Sequence, residues 1–292
     1  MVKTLGELYT DARHIFSLRE DSQSASLMAK ELLCHAAGMT PEAVLAARDR
    51  VAPEQVCIQM AVDVDRVLKG EPLAYVLGQW DFYGLSLQVN KNVLIPRDDT
   101  CAVTELAIRQ ALFLDSSPRI LDLCTGSGCI GLAVATRVKD ARVTLADISK
   151  EALAVAKENV KAHKLTGRVS CIQVDVMAQP AAFLGKFDMI ISNPPYITTA
   201  EMAELDRSVR EYEPHLALHG GQDGLDFYRA IAENFRKVLK HKGYLCLEFG
   251  MGQGDSVCQI LDENGFTILE RSRDYNQRER AVLARYDRKD DT

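Results

Sequence analysis

Leu5, Leu8, Tyr9, Ala12, Ile15 and Phe16 recur at the spacing of one helix face and mark a first amphipathic helix. A second helix is predicted over about 24–37, where Gly38 offers a left-handed stop. Thr40-Pro41 and Ala52-Pro53 each place a proline at a helix start, and the third long helix is expected to end near Gly70. At Gln79 the period changes: residues 80–89 alternate around Gly84, which predicts a β-hairpin, closed by Leu94-Ile95-Pro96-Arg97. Beyond residue 117 strands are expected at 119–123, 142–146, 169–174, 189–192 and 244–248, with helices over 130–137, 150–163 and 225–239 between them. Such alternation builds a doubly wound, mostly parallel α/β sheet. Two more strands, near 266–269 and 281–284, are joined through the polar stretch 271–280. They are expected antiparallel at the sheet edge and bring the count to seven. The pattern divides the chain into a helical segment, 1–75, a hairpin linker, 76–96, and an α/β domain, 97–292.

Composition narrows the function classes. The 292 residues are 47% hydrophobic and 26% charged, with a net charge of −6, which fits a globular protein and excludes a disordered or fibrous one. The helical segment carries 8 Lys+Arg against 11 Asp+Glu. An acidic chain is a poor grip for a nucleic-acid backbone, so no direct nucleic-acid binding is expected. No apolar run is long enough to span a membrane, and the start, Met1 to Glu7, has no apolar leader, so a cytoplasmic protein is expected. The eight cysteines form no C-x-x-C pair and mostly lie in apolar runs, as buried reduced thiols do; no metal site is expected.

The strand ending in Ile120-Leu121-Asp122-Leu123 runs into Cys124-Thr125-Gly126-Ser127-Gly128, and Gly126, Gly128 and Gly131 fit G-x-G-x-x-G. Such a loop lets a ligand approach the backbone at the carboxyl end of a sheet. Two acids choose the ligand. Asp147 ends the second strand, 19 residues past Gly128, where an acid accepts ribose hydroxyls. Asp122 is placed by spacing at the mouth of the loop, where its charge disfavours a pyrophosphate and favours a sulfonium or an amino group. The pair therefore favours S-adenosyl-L-methionine over a nicotinamide dinucleotide. Asp175, after the third strand, is a candidate acceptor for an adenine amino group.

The fourth strand ends in Ser192-Asn193-Pro194-Pro195-Tyr196. Prolines have no N–H, and a residue before proline is held extended, so the loop offers a stiff row of acceptors. The Asn193 side-chain oxygen and the Pro194 carbonyl suit the two donors of a planar –NH2 group, with Tyr196 beside its conjugated plane. That is the equipment for methylating an amide or aryl amine without a strong base nearby.

Glu71 to Gly78, Phe82 to Leu85, Leu94 to Arg97, Asp122 to Gly128, Asn193 to Tyr196 and Tyr212-Glu213-Pro214 together resemble the release-factor glutamine N5-methyltransferases of the HemK/PrmC type, over roughly residues 5–286. The resemblance implies a class I, Rossmann-like methyltransferase domain with an N-terminal helical bundle that docks the substrate. It implies methyl transfer from S-adenosyl-L-methionine to the side-chain amide of the glutamine in the Gly-Gly-Gln loop of class I peptide chain release factors, yielding S-adenosyl-L-homocysteine. A monomer is expected, although the sequence itself carries no signal of oligomeric state. Cys124, Thr125, Gly126, Ser127 and Gly128 then line the methionine moiety, Asp147 the ribose and Val176 an apolar adenine wall. Asn193, Pro194, Pro195 and Tyr196 hold the glutamine amide.

The chain departs from the family in two places. The block that commonly reads Pro-Arg-Pro-Glu-Thr is Pro96-Arg97-Asp98-Asp99-Thr100, and Cys124 stands where many relatives have glycine. Gly220-Gly221-Gln222 copies the substrate motif but precedes a helix and is expected to be a turn. The rival readings are a nucleic-acid adenine-N6 methyltransferase, since adenine also offers a conjugated –NH2, an NAD oxidoreductase, and a non-catalytic adaptor.

Overall fold

The computed structural model describes residues 3–114 and 116–287. The expectation drawn from Met1 and Val2, and the part of the 97–292 segment beyond residue 287, lie outside them. The chain divides into two compact units. One runs to Gly78 and takes in Arg207–Tyr212; the other holds Gln79–Asp206 and the chain from Glu213.

The smaller unit is helical: α1 (Leu5–Phe16), α2 (Ser22–Ala37), α3 (Pro41–Ala46), α4 (Glu54–Leu68) and α5 (Leu73–Leu77). Thr4 and Glu7 form a reciprocal capping box on α1, Asp21 caps α2, and Gly38 ends α2 at φ 61°. Thr40 caps α3 with Pro41 at its first position. Phe16, Leu32, Leu33 and Met60 lie in the core these helices enclose. The unit also takes up a segment from late in the sequence, and the Tyr212 hydroxyl donates to the Lys69 carbonyl at 3.2 Å.

In the larger unit, β1 (Gln79–Phe82) and β2 (Leu85–Gln88) form the antiparallel hairpin, which falls within this unit. There follow α6 (Cys101–Ala111), β3 (Arg119–Leu123), α7 (Cys129–Arg137), β4 (Arg142–Asp147), α8 (Lys150–Ala162), β5 (Val169–Gln173) and β6 (Phe187–Ser192). After α9 (Arg207–Tyr212, counted with the smaller unit) come α10 (Asp226–Asn234), β7 (Leu239–Glu248), α11 (Gly254–Glu263), β8 (Phe266–Arg273) and β9 (Glu279–Tyr286). The sheet has seven strands in the order β5-β4-β3-β6-β7-β9-β8, with β9 antiparallel to both neighbours and the first five parallel. Adjacent residues of β3 alternate between two cores. Ile120 packs with α6, α7 and α8, while Leu121 and Leu123 pack with α10 and α11. Strand order reverses between β3 and β6, the position at which open α/β sheets leave a crevice outside the strands' carboxyl ends.

Several expectations are corrected. The helix predicted over 225–239 ends at Asn234, tightens into a 3-10 turn at Phe235–Val238, and gives Leu239 to β7, where it pairs with Phe187. The edge strands are longer than expected, and their polar residues are paired: Arg271 on β8 bonds Glu279 on β9 at 2.5 Å and Asp255 on α11 at 2.7 Å. Helices α6 and α11 have no counterpart in the predicted pattern. All eight thiols are free, but only Cys34 and Cys246 are fully buried. Among the described residues no helix is long and apolar enough to cross a membrane.

Candidate functional site

Two loops leave neighbouring strands at the reversal point. The first follows β3. Cys124 sits there at φ 55°, the left-handed region that glycine occupies freely, so a side chain at this position is strained. Asp122 does not lie at the loop's mouth, as its spacing suggested. It is fully buried beneath the loop, where Oδ2 accepts the Thr125 hydroxyl at 2.6 Å and the Gly131 N–H at 3.0 Å. A β-carbon on Gly131 would fall within contact of Leu145 and 2.9 Å from Asp122 Oδ2, so glycine is what lets α7 start this close to the sheet. Burial pushes the Asp122 carboxyl up to about 7, against the pull of its two donors, and Oδ1 has no partner among the described residues. Asp122 thus shapes the loop from behind.

Asp147, at the end of β4, does face the crevice. Its Oδ2 accepts the Gly126 N–H at 2.9 Å and its Oδ1 the Ser149 N–H at 3.0 Å. Burial raises its pKa, opposed by these backbone donors. One carboxylate therefore fixes the tip of the glycine loop and keeps lone pairs for a ligand hydroxyl.

The second loop follows β6. Ser192 donates its hydroxyl to the Leu123 carbonyl at 2.8 Å and so ties the two loops' roots together. Asn193 Nδ2 donates to Thr100 Oγ1 at 3.2 Å, which leaves Oδ1 as the free end of the amide. Downstream the backbone is pinned: Ile197 N–H donates to Leu218 O at 2.9 Å, Gly220 N–H to Ile197 O at 2.8 Å, and Gln253 Nε2 to Tyr196 O at 3.1 Å. Gly220 and Gly221 are not the turn expected of them: they lie in irregular chain ahead of a bend at 222–224 that leads into α10, and Gly220 backs this loop. A β-carbon on Gly220 would lie 2.6 Å from Tyr196 Cα and 2.7 Å from Pro195 O. Burial, with Glu248 close by, raises the Tyr196 phenol well above its usual pKa.

A cavity of about 260 Å³ lies against both loops. Of the residues singled out in the sequence, Cys124, Gly126, Asp147, Asp175, Val176, Asn193 and Pro195 line it. Thr125, Ser127 and Gly128 are buried with Asp122, and buried Pro194 and half-buried Tyr196 adjoin the lining residues Asn193 and Pro195 without being part of the lining themselves. The acid at the foot of the cavity, the buried apolar Val176 and the half-buried Asn193 match the ribose, base and amino-group chemistry of a nucleoside with a cationic sulfur.

Sequence reasoning missed three supports. Asn92, Val93 and Leu94 line the cavity together with Pro214, Leu216 and Ala217; of these, Leu94 and Pro214 stand in the blocks that carry the resemblance, with no site role given to them there. These stretches are joined by buried Glu213, which accepts the Ile95 N–H at 3.2 Å and pairs with Arg97. Asn159 on α8 is fully buried. Its Nδ2 donates to Ser127 O at 2.9 Å and Gln88 O at 3.0 Å, and its Oδ1 accepts the Gln88 N–H at 2.7 Å. A polar residue on the stripe of Ala152, Val155, Ala156 and Val160 was the available signal. The third is Glu248, a carboxyl 1% exposed at the end of β7.

A "Methyltransferase small domain" model matches residues 104–222, and a "PrmC N-terminal domain" model matches residues 7–78. A methyltransferase from Pyrococcus furiosus shares the fold, with a TM-score of 0.51 and 16% identity over 77% of this chain and 98% of that one. The release factor glutamine methyltransferase of Clostridium acetobutylicum is 41% identical over 74% of this chain and 75% of its own length. That of Thermodesulfovibrio yellowstonii is 36% identical over 87% and 90%. With 41% identity over 74% of its length and 36% over 87%, the chain is a member of the release factor glutamine methyltransferase family.

Proposed function

We propose that this enzyme transfers a methyl group from S-adenosyl-L-methionine to N5 of the glutamine in the Gly-Gly-Gln motif of class I peptide chain release factors, in the cytoplasm, releasing S-adenosyl-L-homocysteine. The observation that carries this reading is the orientation of Asn193: its Nδ2 is spent on Thr100, so a carbonyl oxygen is presented to a cavity that also holds Asp147. The acidic helical unit is assigned to docking the protein substrate.

When bound, the cofactor supplies a methyl group on a positively charged sulfur. Asp147 accepts the ribose hydroxyls, the backbone from Cys124 to Gly128 carries the amino-acid part, and Asp175 and Val176 meet the base. Asn193 Oδ1 and the Pro194 carbonyl take the two N–H groups of the substrate amide, with Pro195 and Tyr196 on its flank. Amide nitrogen is a poor nucleophile because its lone pair is delocalised. Two fixed acceptors hold it in line with the methyl carbon and stabilise the positive charge that grows on it. The nitrogen becomes acidic once methylated and gives its proton to water, so the loop needs no strong base.

Incubation with a class I release factor and isotopically labelled cofactor, followed by peptide mapping, tests this. Label on the Gly-Gly-Gln glutamine is expected. Label on another protein residue, or on adenine of added nucleic acid with tight retention on heparin at moderate salt, overturns it.

A further inference from the structure

We propose that Glu248 is a positioning residue for this reaction: together with Thr100 it holds the Asn193 carboxamide by its amino end and so fixes the carbonyl end toward the substrate. The inference rests on the reading of Asn193 as the acceptor of the substrate amide.

Three side chains from separate parts of the unit meet here. Thr100 precedes α6, Asn193 follows β6, and Glu248 closes β7, next to β6 in the sheet. Asn193 donates to the Thr100 hydroxyl at 3.2 Å. The register of β6 and β7 sets Ser192 against Leu247, which brings Asn193 beside Glu248, and Thr100 and Asn193 both favour the charged form of the Glu248 carboxyl. One Nδ2 hydrogen of Asn193 is taken by Thr100, and the Glu248 carboxyl is the acceptor placed for the other. An amide held this way cannot rotate by half a turn without breaking the set, because Oδ1 would then face two acceptors.

The rest of the surroundings leaves this as the carboxyl's main task. Glu248 is 1% exposed, and its Oε2 has no partner among the described residues. The nearest cation, Arg280, is engaged by Asp99 at 2.9 Å and Asp274 at 3.3 Å. Tyr228 bonds only the Glu248 backbone carbonyl, at 3.1 Å. The Tyr196 phenol and the thiols of Cys101 and Cys129 also feel its charge. Glu248 lies outside the cavity lining, so it acts through Asn193. Burial is the largest influence on its carboxyl and carries it up to about 8, with Asp99 in the same direction and Thr100, Arg280 and Asn193 against. Near neutral pH it therefore exchanges a proton. Protonated, it becomes a donor and competes for Oδ1, the atom the substrate needs.

The test compares Glu248→Gln, which keeps a carbonyl acceptor without a proton to exchange, with Glu248→Leu, which keeps bulk and loses the acceptor. Expected for Leu is a fall in kcat of tenfold or more, with KM for the release factor and the affinity for S-adenosyl-L-homocysteine within twofold of wild type. Glu248→Gln restores kcat to within about threefold and lacks the wild-type loss of rate as pH falls through about 8. A wild-type pH limb that persists in Glu248→Gln overturns the proposal even if the Leu variant fails to fold. A second readout needs no substrate. The Nδ2 proton resonances of Asn193, assigned by their loss in Asn193→Ala, should move across the same pH range in wild type and stay fixed in Glu248→Gln. Absence of labelled product with any release factor defeats the functional reading, whereas static Asn193 resonances in wild type defeat this inference alone.

Discussion

The glycine loop after β3 and the acceptor loop after β6 are built on the same plan with opposite polarity. Each leaves a parallel strand at the reversal point, and each is supported by a buried carboxyl with one oxygen unpartnered among the described residues, Asp122 for the first and Glu248 for the second. Asp122 gathers a backbone N–H and a hydroxyl of its own loop. Its effect stays within the loop, whose outer surface is left to Asp147 and the backbone. Glu248 holds the amide of Asn193, a side chain on the cavity wall. The glycine loop is shaped for binding, and its partner is shaped for aim. A defect in the first should appear in cofactor affinity, and a defect in the second in turnover.

The strongest test of that division is Asn193→Ala. A lost preorganised acceptor is expected to lower kcat by about 100-fold or more, the scale seen when one transition-state hydrogen bond is removed. Binding of S-adenosyl-L-homocysteine, measured by calorimetry, should stay near wild type; a matching loss of affinity would erase the distinction between the loops. Next are the two close-packed glycines. Gly131→Ala and Gly220→Ala each force atoms apart and are expected to destabilise the fold by ~1–3 kcal/mol. The first should raise the cofactor Kd, because it displaces α7 from Asp122, and the second should depress kcat, because it pushes on Pro195 and Tyr196. Chemical denaturation with cofactor titration on both variants decides this. Asp147→Ala should weaken cofactor binding by ~1–3 kcal/mol, the cost of losing charged hydrogen bonds, with little change in the rate at saturation.

The two buried acids separate by the pH range over which each acts. A carboxyl raised to about 7 binds its proton more tightly in the native state than in the unfolded one, so Asp122 stabilises the fold most at low pH. That contribution is lost as pH climbs from about 4 to about 7, by at most ~1.4 kcal/mol per pH unit. Asp122→Asn should flatten the decline in thermal stability below pH 7, whereas Glu248→Gln should also remove the part that continues to about pH 8. Identical profiles for the two variants would mean that the loops are not supported independently.

The sequence disclosed what depends on local order. The strand-to-helix step from Leu123 to Cys129, the run Asn193-Pro194-Pro195-Tyr196, the helix stop at Gly38 and the helix start at Thr40 are written in neighbouring residues, and the elements stand where those signals put them; the caps at Thr4 and Asp21 are not read from the periodicity. What stayed hidden depends on partners distant in sequence. Spacing put Asp122 at the mouth of the loop, whereas it lies in the core; that is decided by how close Gly131 lets α7 approach. Glu248 reads as the polar end of an apolar strand. Its burial follows from its pairing with Ala281 on β9, and its link to Thr100 and Asn193 spans more than 50 residues in each case. Asn159 interrupts an apolar helix face for a reason visible only once the hairpin lies beside it. The helix read through to Leu239 failed because Phe235 and Leu239 satisfy helical spacing while Leu239 is claimed by β6.

Asn159 has a consequence for assembly. One carboxamide closes a circuit among the hairpin, α8 and the Ser127 carbonyl, with a bond to each party and none left over. One side chain therefore couples the seating of the hairpin to the shape of the glycine loop, so that a disturbance of either reaches the other.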